Sequence, residues 1–340
     1  MATILGIEST CDETAAAVVI DGRRVVSNIV TTQIALHEKY RGVVPEIASR
    51  AHVENILPVI RQALDDTSLT LDRVDAIAVA YRPGLIGSLL IGVTAAKTLA
   101  WATGKPLIGV DHVHAHLYSV LLDTDFTIPL PAVGLVCSGG HTALYRIDDL
   151  LKVTRIGQTL DDAVGEAYDK VAAILGLGYP GGPVIDRLAA EGDPKAIRFP
   201  RTLLERDSLD FSFSGIKTAV LYHVRGYQGQ ARSSEALDPQ QVRDVAAAFQ
   251  ASCIDVLREK IARAARQIGA KSIVVGGGVS ANRGLRQALE KMELPLRVPK
   301  VAYCTDNAAM IAGLGDLLLS AGKTSPLDLD AITFSEIQSD

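Results

Sequence analysis

The sequence TILGIESTCDETAAAVVIDG, residues 3–22, contains two apolar runs separated by a short polar stretch. This pattern predicts a strand, a polar loop, a second strand and a turn at Asp21-Gly22. Residues 132–148, AVGLVCSGGHTALYRID, repeat the same order, and Thr14 and Thr142 fall at matching points. The sequence therefore predicts the same hairpin twice.

A strand followed by a Gly-rich loop and a helix also occurs twice, at 74–100 and at 270–289. Each half of the chain contains both units in the same order, which predicts two similar α/β domains facing each other across a cleft. The alternative is that unrelated α/β units look alike. The predicted division is an N-terminal domain at 1–130, a C-terminal domain at 131–325 with a helical insertion at about 154–238, and a tail at 326–340.

Two further helices are predicted in the second half. Apolar residues recur at helical spacing from Pro239 to Gln267, which indicates a core helix. The last helix is expected to begin near Asn307, and the tail from Ser320 is polar and expected to be loose.

Composition excludes several classes of protein. With 340 residues, 48% of them hydrophobic, the chain can supply a core for each of two domains. The four cysteines form no CxxC pair, so neither a zinc ribbon nor a disulfide framework is predicted. No apolar run approaches the roughly 20 residues that a membrane span needs, and the formal charge of −5 argues against a strongly basic nucleic-acid binder. We therefore expect a cytoplasmic protein.

The stretch HVHAH contains the best candidate metal ligands. His112 and His116 are four residues apart, so on a helix both imidazoles share one face. The His-based protease motif has Glu after the first His, but here that position is Val113. A third ligand must come from elsewhere, and Asp306 in CTDNAAMIAG is the candidate, with a helix N-cap as its alternative role. For the histidines, a purely structural role is the alternative.

Several loops could approach a ligand. VCSGGH at 136–141 and GGGVSAN at 276–282 each place glycines after a strand, where backbone N–H groups can reach a phosphate or acyl oxygen. ESTCDET at 8–14 offers hydroxyls and carboxylates instead, which suit a cation or water. Asp162, Glu166 and Asp169 are expected along one side of a helix, as solvated surface or as a ribose contact. Gly182 and Asp186 follow in the same neighbourhood.

Ten motifs together carry a family resemblance that spans about residues 3–320. They are GIESTCDET, PEIASRAH, PGLIGSLLIG, HVHAH, VCSGGHTAL, DDAVGEAYDKVA, YPGGP, FSFSGIKTA, GGGVSANRGLR and CTDNAAMIAG. In this order they resemble the tRNA threonylcarbamoyladenosine transferase family, in its bacterial form, TsaD. The fold that the resemblance implies is the duplicated actin-like, Hsp70-like ATPase (ASKHA) architecture.

The activity implied is transfer of a threonylcarbamoyl group from threonylcarbamoyl-AMP to the exocyclic amine of the adenosine directly 3′ of the tRNA anticodon, in tRNAs that read codons beginning with adenine, with release of AMP. An acyl-adenylate already has a good leaving group, so no nucleophilic side chain is predicted. The partners implied are tRNA, a catalytically inactive TsaB-like paralogue and a small TsaE-like ATPase; a homodimer is a further option, and no membrane is expected.

The resemblance also implies site residues. The metal ligands are His112, His116 and Asp306, holding one divalent ion per subunit, iron first and zinc as the alternative. The substrate-binding residues are Val136, Cys137, Ser138, Gly139, Gly140, Asp169, Gly182, Asp186 and Asn282. Cys137 stands where many relatives have an aliphatic residue, which suggests sensitivity to oxidation. The rival functions are a metalloprotease, an ATP-dependent sugar kinase or chaperone-like ATPase, and a non-catalytic scaffold.

Overall fold

The computed structural model describes residues 1–40, 42–226, 237–335 and 337. Part of the predicted insertion and part of the predicted tail, residues 227–236, 336 and 338–340, lie outside the described residues. The contacts divide the chain into two compact units. Unit 1 comprises Met1–Thr127 and Pro299–Ile337, and unit 2 comprises Ile128–Val298.

Unit 1 is built on a five-stranded mixed sheet. Its strands are β1 (Thr3–Glu8), β2 (Glu13–Ile20), β3 (Arg24–Thr32), β4 (Ala76–Arg82) and β5 (Leu107–Asp111), in the order β3-β2-β1-β4-β5. The β1, β2 and β3 strands pair antiparallel, whereas β4 and β5 continue the sheet in parallel. Its helices are α1 (Ile34–His37), α2 (Pro45–Asp65), α3 (Ile86–Thr103), α4 (His112–Tyr118) and α10 (Ala308–Ser320).

Unit 2 repeats this topology. Its strands are β6 (Ala132–Cys137), β7 (Thr142–Asp149), β8 (Lys152–Gln158), β9 (Ser272–Gly276) and β10 (Leu296–Arg297), in the order β10-β9-β6-β7-β8. Its helices are α5 (Val164–Ile174), α6 (Gly181–Ala189), α7 (Ser214–Arg225), α8 (Pro239–Ile268) and α9 (Arg283–Leu289). Read from β8 to β10, each strand corresponds to one of unit 1, so the predicted duplication is confirmed.

The first strand of unit 1 shows why a fully apolar run forms a central strand. Ile4, Leu5 and Ile7 are completely buried, because β1 is covered on both faces. A Cβ on Gly6 would lie 2.3 Å from the carbonyl oxygen of Ala308, so only glycine lets the start of α10 approach this strand. The sheet and the last helix are thus packed backbone to backbone.

The position of α10 changes the expected domain division. The sequence analysis placed residues 299–325 with the C-terminal domain, but α10 packs on β1, β2 and β4 of unit 1. Its apolar side chains complete the core of the first sheet, and no local pattern in the sequence specifies which of two similar sheets a helix covers. The segment after α10 also differs from the expectation of a loose tail: the N–H groups of Ser325 and Ile332 donate to Leu107 and Tyr81.

Helix α8 is the core helix expected from Pro239 to Gln267, and it ends one residue later at Ile268. Asp238 caps its N-terminus in a capping box with Gln241, and Gly269 ends it in the left-handed conformation (φ 63°). Its apolar face, including Val245, Phe249 and Val256, lies in the core of unit 2.

Helix α3 differs from the expectation of no membrane-spanning run. In the part of the chain that the structure describes, this 18-residue helix alone is long and apolar enough to cross a membrane. Leu89, Val93 and Ala96 are buried in the core of unit 1, and core helices of globular domains have the same composition. Length and composition therefore do not by themselves make α3 a membrane helix.

Candidate functional site

His112 and His116 of HVHAH lie on α4, which begins directly after β5. The carboxylate of Asp111 caps the helix by accepting from the N–H groups of Val113 and His114, both at 3.1 Å. Arg82 and Ser335 donate to the other oxygen of Asp111, at 3.2 and 2.7 Å. This cap fixes the start of the helix, and the helical spacing places both imidazoles on one face, with ring centroids 4.6 Å apart.

Asp306 completes the group that the sequence analysis proposed. One of its carboxylate oxygens, Oδ1, lies 3.1 Å from Nε2 of His116 and 3.5 Å from Nε2 of His112. The alternative role as helix cap is wrong, because the side chain of Asn307 caps α10 by accepting from the N–H of Met310. Asp306 is therefore directed at the histidines.

Electrostatics couple these three side chains. Burial lowers the pKa of His112, but the charges of Glu8 and Asp306 outweigh burial and hold that pKa well above its usual value. Burial dominates at His116 and lowers its pKa, despite the hydrogen bond that its ring donates to Asp306. Burial acts to raise the pKa of Asp306, but the charge of His112 and the hydrogen bonds from both imidazoles hold it well below the usual range. The carboxylate is thus kept ionised between two rings.

Glu8 belongs to the ESTCDET segment, whose carboxylates the sequence analysis expected to suit a cation or water, but its contact with His112 was not predicted. It lies at the end of β1, is completely buried, and its Oε2 is 2.8 Å from Nδ1 of His112. Its other oxygen accepts from the N–H of Thr10 at 2.6 Å. Nδ1 of His112 donates to Glu8, so Nε2 is the ring nitrogen that faces Asp306. The signal was a carboxylate at the end of a fully apolar strand, where a buried charge needs a partner.

The neighbouring loop adds acidic groups. Burial, followed by the charges of Asp306 and Asp12, raises the pKa of Glu13 well above its usual value. The same causes, burial first and then Asp12 and Asp306, raise the pKa of the Cys11 thiol, so Cys11 is a thiol rather than a thiolate.

The three donor atoms fit one metal ion. Nitrogen and oxygen ligands of His112, His116 and Asp306 all lie within 4.8 Å of one another, and ligands around one ion with bonds of about 2.1 Å lie roughly 3 to 4 Å apart. Nδ1 of His116 is buried without a hydrogen-bond partner among the described residues, and the lowered pKa of this ring favours the neutral form that binds metals. The described part of the chain contains no second His, Cys, Asp or Glu group of this kind.

Unit 2 contains the proposed substrate loop between β6 and β7. The N–H of Ser138 donates to the carbonyl of His141 at 2.8 Å, and the hydroxyl of Ser138 accepts from the N–H of His141. Gly139 and Gly140 are exposed at its tip. The side chains of Val136 and Cys137 are completely buried in β6, so only their backbones could reach a ligand, and the burial of Cys137 argues against ready oxidation.

The other proposed nucleotide contacts lie on α5, α6 and α9. Asp169 accepts from the N–H of Gly181, at the start of α6, at 2.7 Å. Asp186 on α6 pairs with Arg283 on α9, with 2.9 Å between carboxylate and guanidinium. Asn282 precedes α9 and caps it by accepting from the N–H of Leu285 at 2.8 Å. The structure thus brings Asp186 and Asn282 together, and Gln250 of α8 contacts both.

The carboxylates expected along one helix have other partners. Asp162 precedes α5 and pairs with Lys170 and Lys217, at 2.7 and 2.5 Å. Glu166 also pairs with Lys170. Burial acts to raise the pKa of Asp162, but the hydrogen bonds from the two lysines outweigh it and lower that pKa. Asp162 and Glu166 therefore form an ion-pair cluster.

Comparison with known proteins decides the family. The model of the family "TsaD: tRNA N6-adenosine threonylcarbamoyltransferase" matches residues 24–313. The chain belongs to this family. The transferase of Trichlorobacter lovleyi is 50% identical over 332 residues, with 96% of this chain and 95% of the relative covered. That of Moorella thermoacetica is 51% identical over 336 residues, covering 97% and 95%.

Solved structures of other families show the same fold as this transferase-family chain. HypF from T. kodakarensis has a TM-score of 0.62 at 14% identity, covering 94% of this chain and 48% of HypF. Component A of (R)-2-hydroxyglutaryl-CoA dehydratase from Acidaminococcus fermentans has a TM-score of 0.56 at 14% identity, covering 94% of this chain and all of that chain (100%). The predicted actin-like ATPase fold is confirmed.

Proposed function

We propose that the protein transfers a threonylcarbamoyl group from threonylcarbamoyl-AMP to N6 of the adenosine directly 3′ of the anticodon in tRNAs that read codons beginning with adenine. The observation that carries this proposal is about 50% identity to transferases of that name over nearly the whole chain. The cluster of His112, His116 and Asp306 supports it, because the three donor atoms lie within 4.8 Å of one another, as a single bound metal ion would require.

In unit 1, His112, His116 and Asp306 would hold one divalent ion, with iron as the first candidate and zinc as the second, since both bind imidazole and carboxylate. When bound, the ion supplies a Lewis acid for a phosphate or acyl oxygen. Glu8 would keep Nε2 of His112 directed at the ion through the contact at Nδ1.

In unit 2, the N–H groups of Gly139 and Gly140 would meet the acyl and phosphate oxygens, since the N–H of Ser138 is used within the loop. Gly139, Gly140 and Gly182 support this assignment, because no atom lies within 4 Å of an added Cβ and their φ angles lie outside the left-handed region. Neither packing nor backbone conformation requires glycine at these positions, and glycine leaves room for a ligand to approach the backbone closely. Asp169 and Asp186 would accept from ribose hydroxyls, with Asn282 nearby.

The reaction needs no covalent enzyme intermediate. The N6 amine attacks the carbamoyl carbon, a C–N bond forms, the C–O bond to the phosphate breaks, AMP leaves, and N6 loses one proton. The adenylate provides the leaving group, so the chain has to orient two substrates and stabilise the developing oxyanion. An anticodon-loop base can be unstacked at modest cost.

The partners proposed are tRNA, a TsaB-like inactive paralogue and a small TsaE-like ATPase, with a homodimer as an alternative assembly. The formal charge of −5 supports shared tRNA binding, because an acidic chain has little electrostatic attraction of its own for a phosphate backbone. A cytoplasmic location follows from the substrate.

The test is reconstitution with tRNA, threonylcarbamoyl-AMP, metal and partner proteins, followed by mass analysis of the tRNA nucleosides. We expect modified adenosine with the wild-type protein and with His114→Ala, a matched change on the same helix. We expect loss of product and of bound metal with His112→Ala. Absence of modified adenosine, with metal bound and partners shown to be active, contradicts the proposal.

A further inference from the structure

Gln250 is a buried polar side chain on the apolar face of α8. It is 7% exposed, and Ala246, Phe249 and Cys253 around it belong to the core of unit 2. A buried amide needs partners for both its oxygen and its nitrogen. Gln250 has partners on three other elements, so its side chain connects α8 to them by hydrogen bonds.

The oxygen of Gln250 faces Asn282. It accepts from Nδ2 of Asn282 at 2.7 Å, and the hydroxyl of Tyr168 on α5 donates to it at 3.4 Å. The oxygen of Asn282 is already used as the cap of α9. The Asn282 amide is therefore fixed at both ends, one end by its own helix and the other by Gln250.

The nitrogen of Gln250 faces Asp186. Nε2 donates to Oδ1 of Asp186 at 3.2 Å, while Nε of Arg283 donates to Oδ2 at 2.9 Å. The N–H groups of Gly284 and Arg283 also point at the carboxylate, both at 3.4 Å. These two backbone contacts are longer than the side-chain contacts from Gln250 and Arg283, so the side chains hold the carboxylate in place.

The chemistry of the partners fixes the orientation of the amide. An ionised carboxylate only accepts, so the nitrogen must face Asp186 and the oxygen must face Asn282. A Cβ on Gly284 would lie 2.7 Å from Nε2 of Gln250, so the adjacent backbone also packs against the amide. Leucine would supply neither contact, and glutamate would place a second carboxylate against Asp186.

We propose that Gln250 is a positioning residue of the nucleotide site, which sets the separation and orientation of Asp186 and Asn282. This inference rests on the proposed function, because the nucleotide roles of those two residues belong to it. Gln250 does not touch the nucleotide; it acts through the two side chains that it joins.

The test uses binding of AMP to the full chain by calorimetry, together with the midpoint of thermal unfolding. We expect Gln250→Leu to weaken AMP binding about tenfold, equal to about 1.4 kcal/mol. Ser252→Ala is the matched control, since among the described residues its hydroxyl bonds within α8, to the carbonyl of Ala248. AMP binding should be unchanged. A Gln250→Leu protein that is less stable but binds AMP like the wild type overturns the inference.

Gln250→Glu provides a second test that does not depend on how well Gln250→Leu folds. The protonated acid can donate to Asp186 as the amide does, but the ionised form repels it. We therefore expect its AMP affinity, relative to wild type, to approach the wild-type value near pH 5 and to fall toward about pH 8. A ratio that does not change with pH contradicts the inference.

Double variants separate the inference from the proposed function. Because Gln250 acts partly through Asp186, Gln250→Leu should have a smaller effect on AMP binding in an Asp186→Ala background than in the wild type, since only the part through Asn282 remains in the double variant. Full additivity overturns the inference while leaving the nucleotide site intact. Wild-type AMP binding by both Asp186→Ala and Asn282→Ala instead contradicts the nucleotide assignment of the proposed function.

Discussion

Replacing Glu8 by glutamine should weaken metal binding without removing a ligand. Glu8 is completely buried and uses both oxygens, one for the N–H of Thr10 and one for Nδ1 of His112. Glutamine has one acceptor oxygen, so one of these two donors is left facing an NH2 group. An unsatisfied buried donor costs about 1 to 3 kcal/mol, and the lost charge adds to this.

The expected magnitude is a 10- to 100-fold weaker affinity, as is typical when the partner of a metal-binding histidine is removed. The assay is competition of the purified chain with a chelator for Co²⁺ or Zn²⁺. It is best run near pH 8, because a proton on His112 competes with the metal and the charge of Glu8 favours that proton as well. At lower pH the two effects of the substitution partly cancel.

Ser9→Ala is the matched control for Glu8→Gln. Ser9 is the next residue, is also completely buried, and its hydroxyl donates to the carbonyl of Ser88 rather than to His112. A second readout is the Nδ1–H resonance of His112, which the carboxylate should move downfield in the wild type and not in the variant. Equal metal affinity of wild type and Glu8→Gln, with the metal bound at His112, would refute the reasoning.

Three further predictions concern unit 2. Gly182→Ala should keep wild-type stability, because outside its neighbours and its own helix no atom lies within 4 Å of the new Cβ, and should weaken AMP binding, because the methyl group enters the space proposed for the nucleotide. Gly277→Ala should instead lower stability in urea, because its φ is 88° and a Cβ would lie 2.4 Å from the carbonyl oxygen of Cys137. Asp161→Ala should lower the free energy of unfolding in urea by about 1 kcal/mol. The carboxylate accepts from the hydroxyls of Ser212 and Ser214 and from two N–H groups at an exposed site. An unchanged midpoint of urea unfolding would contradict this. Burial and, next, the charge of Arg263 lower the pKa of Lys260 from 10.5 to about 8. Between about pH 8 and pH 10.5 the unfolded chain therefore binds more protons than the folded chain, and the stability of the wild type should rise with pH in that range. Urea unfolding measured at several pH values should show no such rise for Lys260→Met.

The duplication was predictable from the sequence because alternation and glycine spacing are local signals. The membership of α10 was not, because its apolar residues fit either of two similar sheets, and the decisive feature is the close approach of Ala308 to Gly6. That approach joins positions about 300 residues apart in the sequence, and a glycine inside a strand indicates only that something comes close.

The candidate metal site was predictable in its ligands but not in its support. Helical spacing places His112 and His116 on one face, whereas the choice between Asp306 and Asn307 as the cap of α10 depends on backbone conformation. Both residue types cap helices, and the structure uses Asn307. Gln250 could not be predicted for a different reason. A single polar residue on the apolar face of a helix does not reveal its partners in the sequence, and here the partners Asp186 and Asn282 belong to other helices.

The two equivalent hairpins carry side chains of different chemistry at corresponding positions. Glu8 pairs with Ala15 across β1 and β2, and Val136 pairs with Ala143 across β6 and β7, so the two connections have the same length and Glu8 corresponds to Val136. In unit 1 this position carries a buried carboxylate, and α4 supplies His112 to compensate it. In unit 2 the position is apolar, and the loop that follows has the exposed residues Gly139 and Gly140 at its tip, whose N–H groups we propose as anion contacts. The buried carboxylate of unit 1 is therefore stabilised by His112 together with the N–H of Thr10, whereas the apolar residue at the corresponding position of unit 2 needs no such partners.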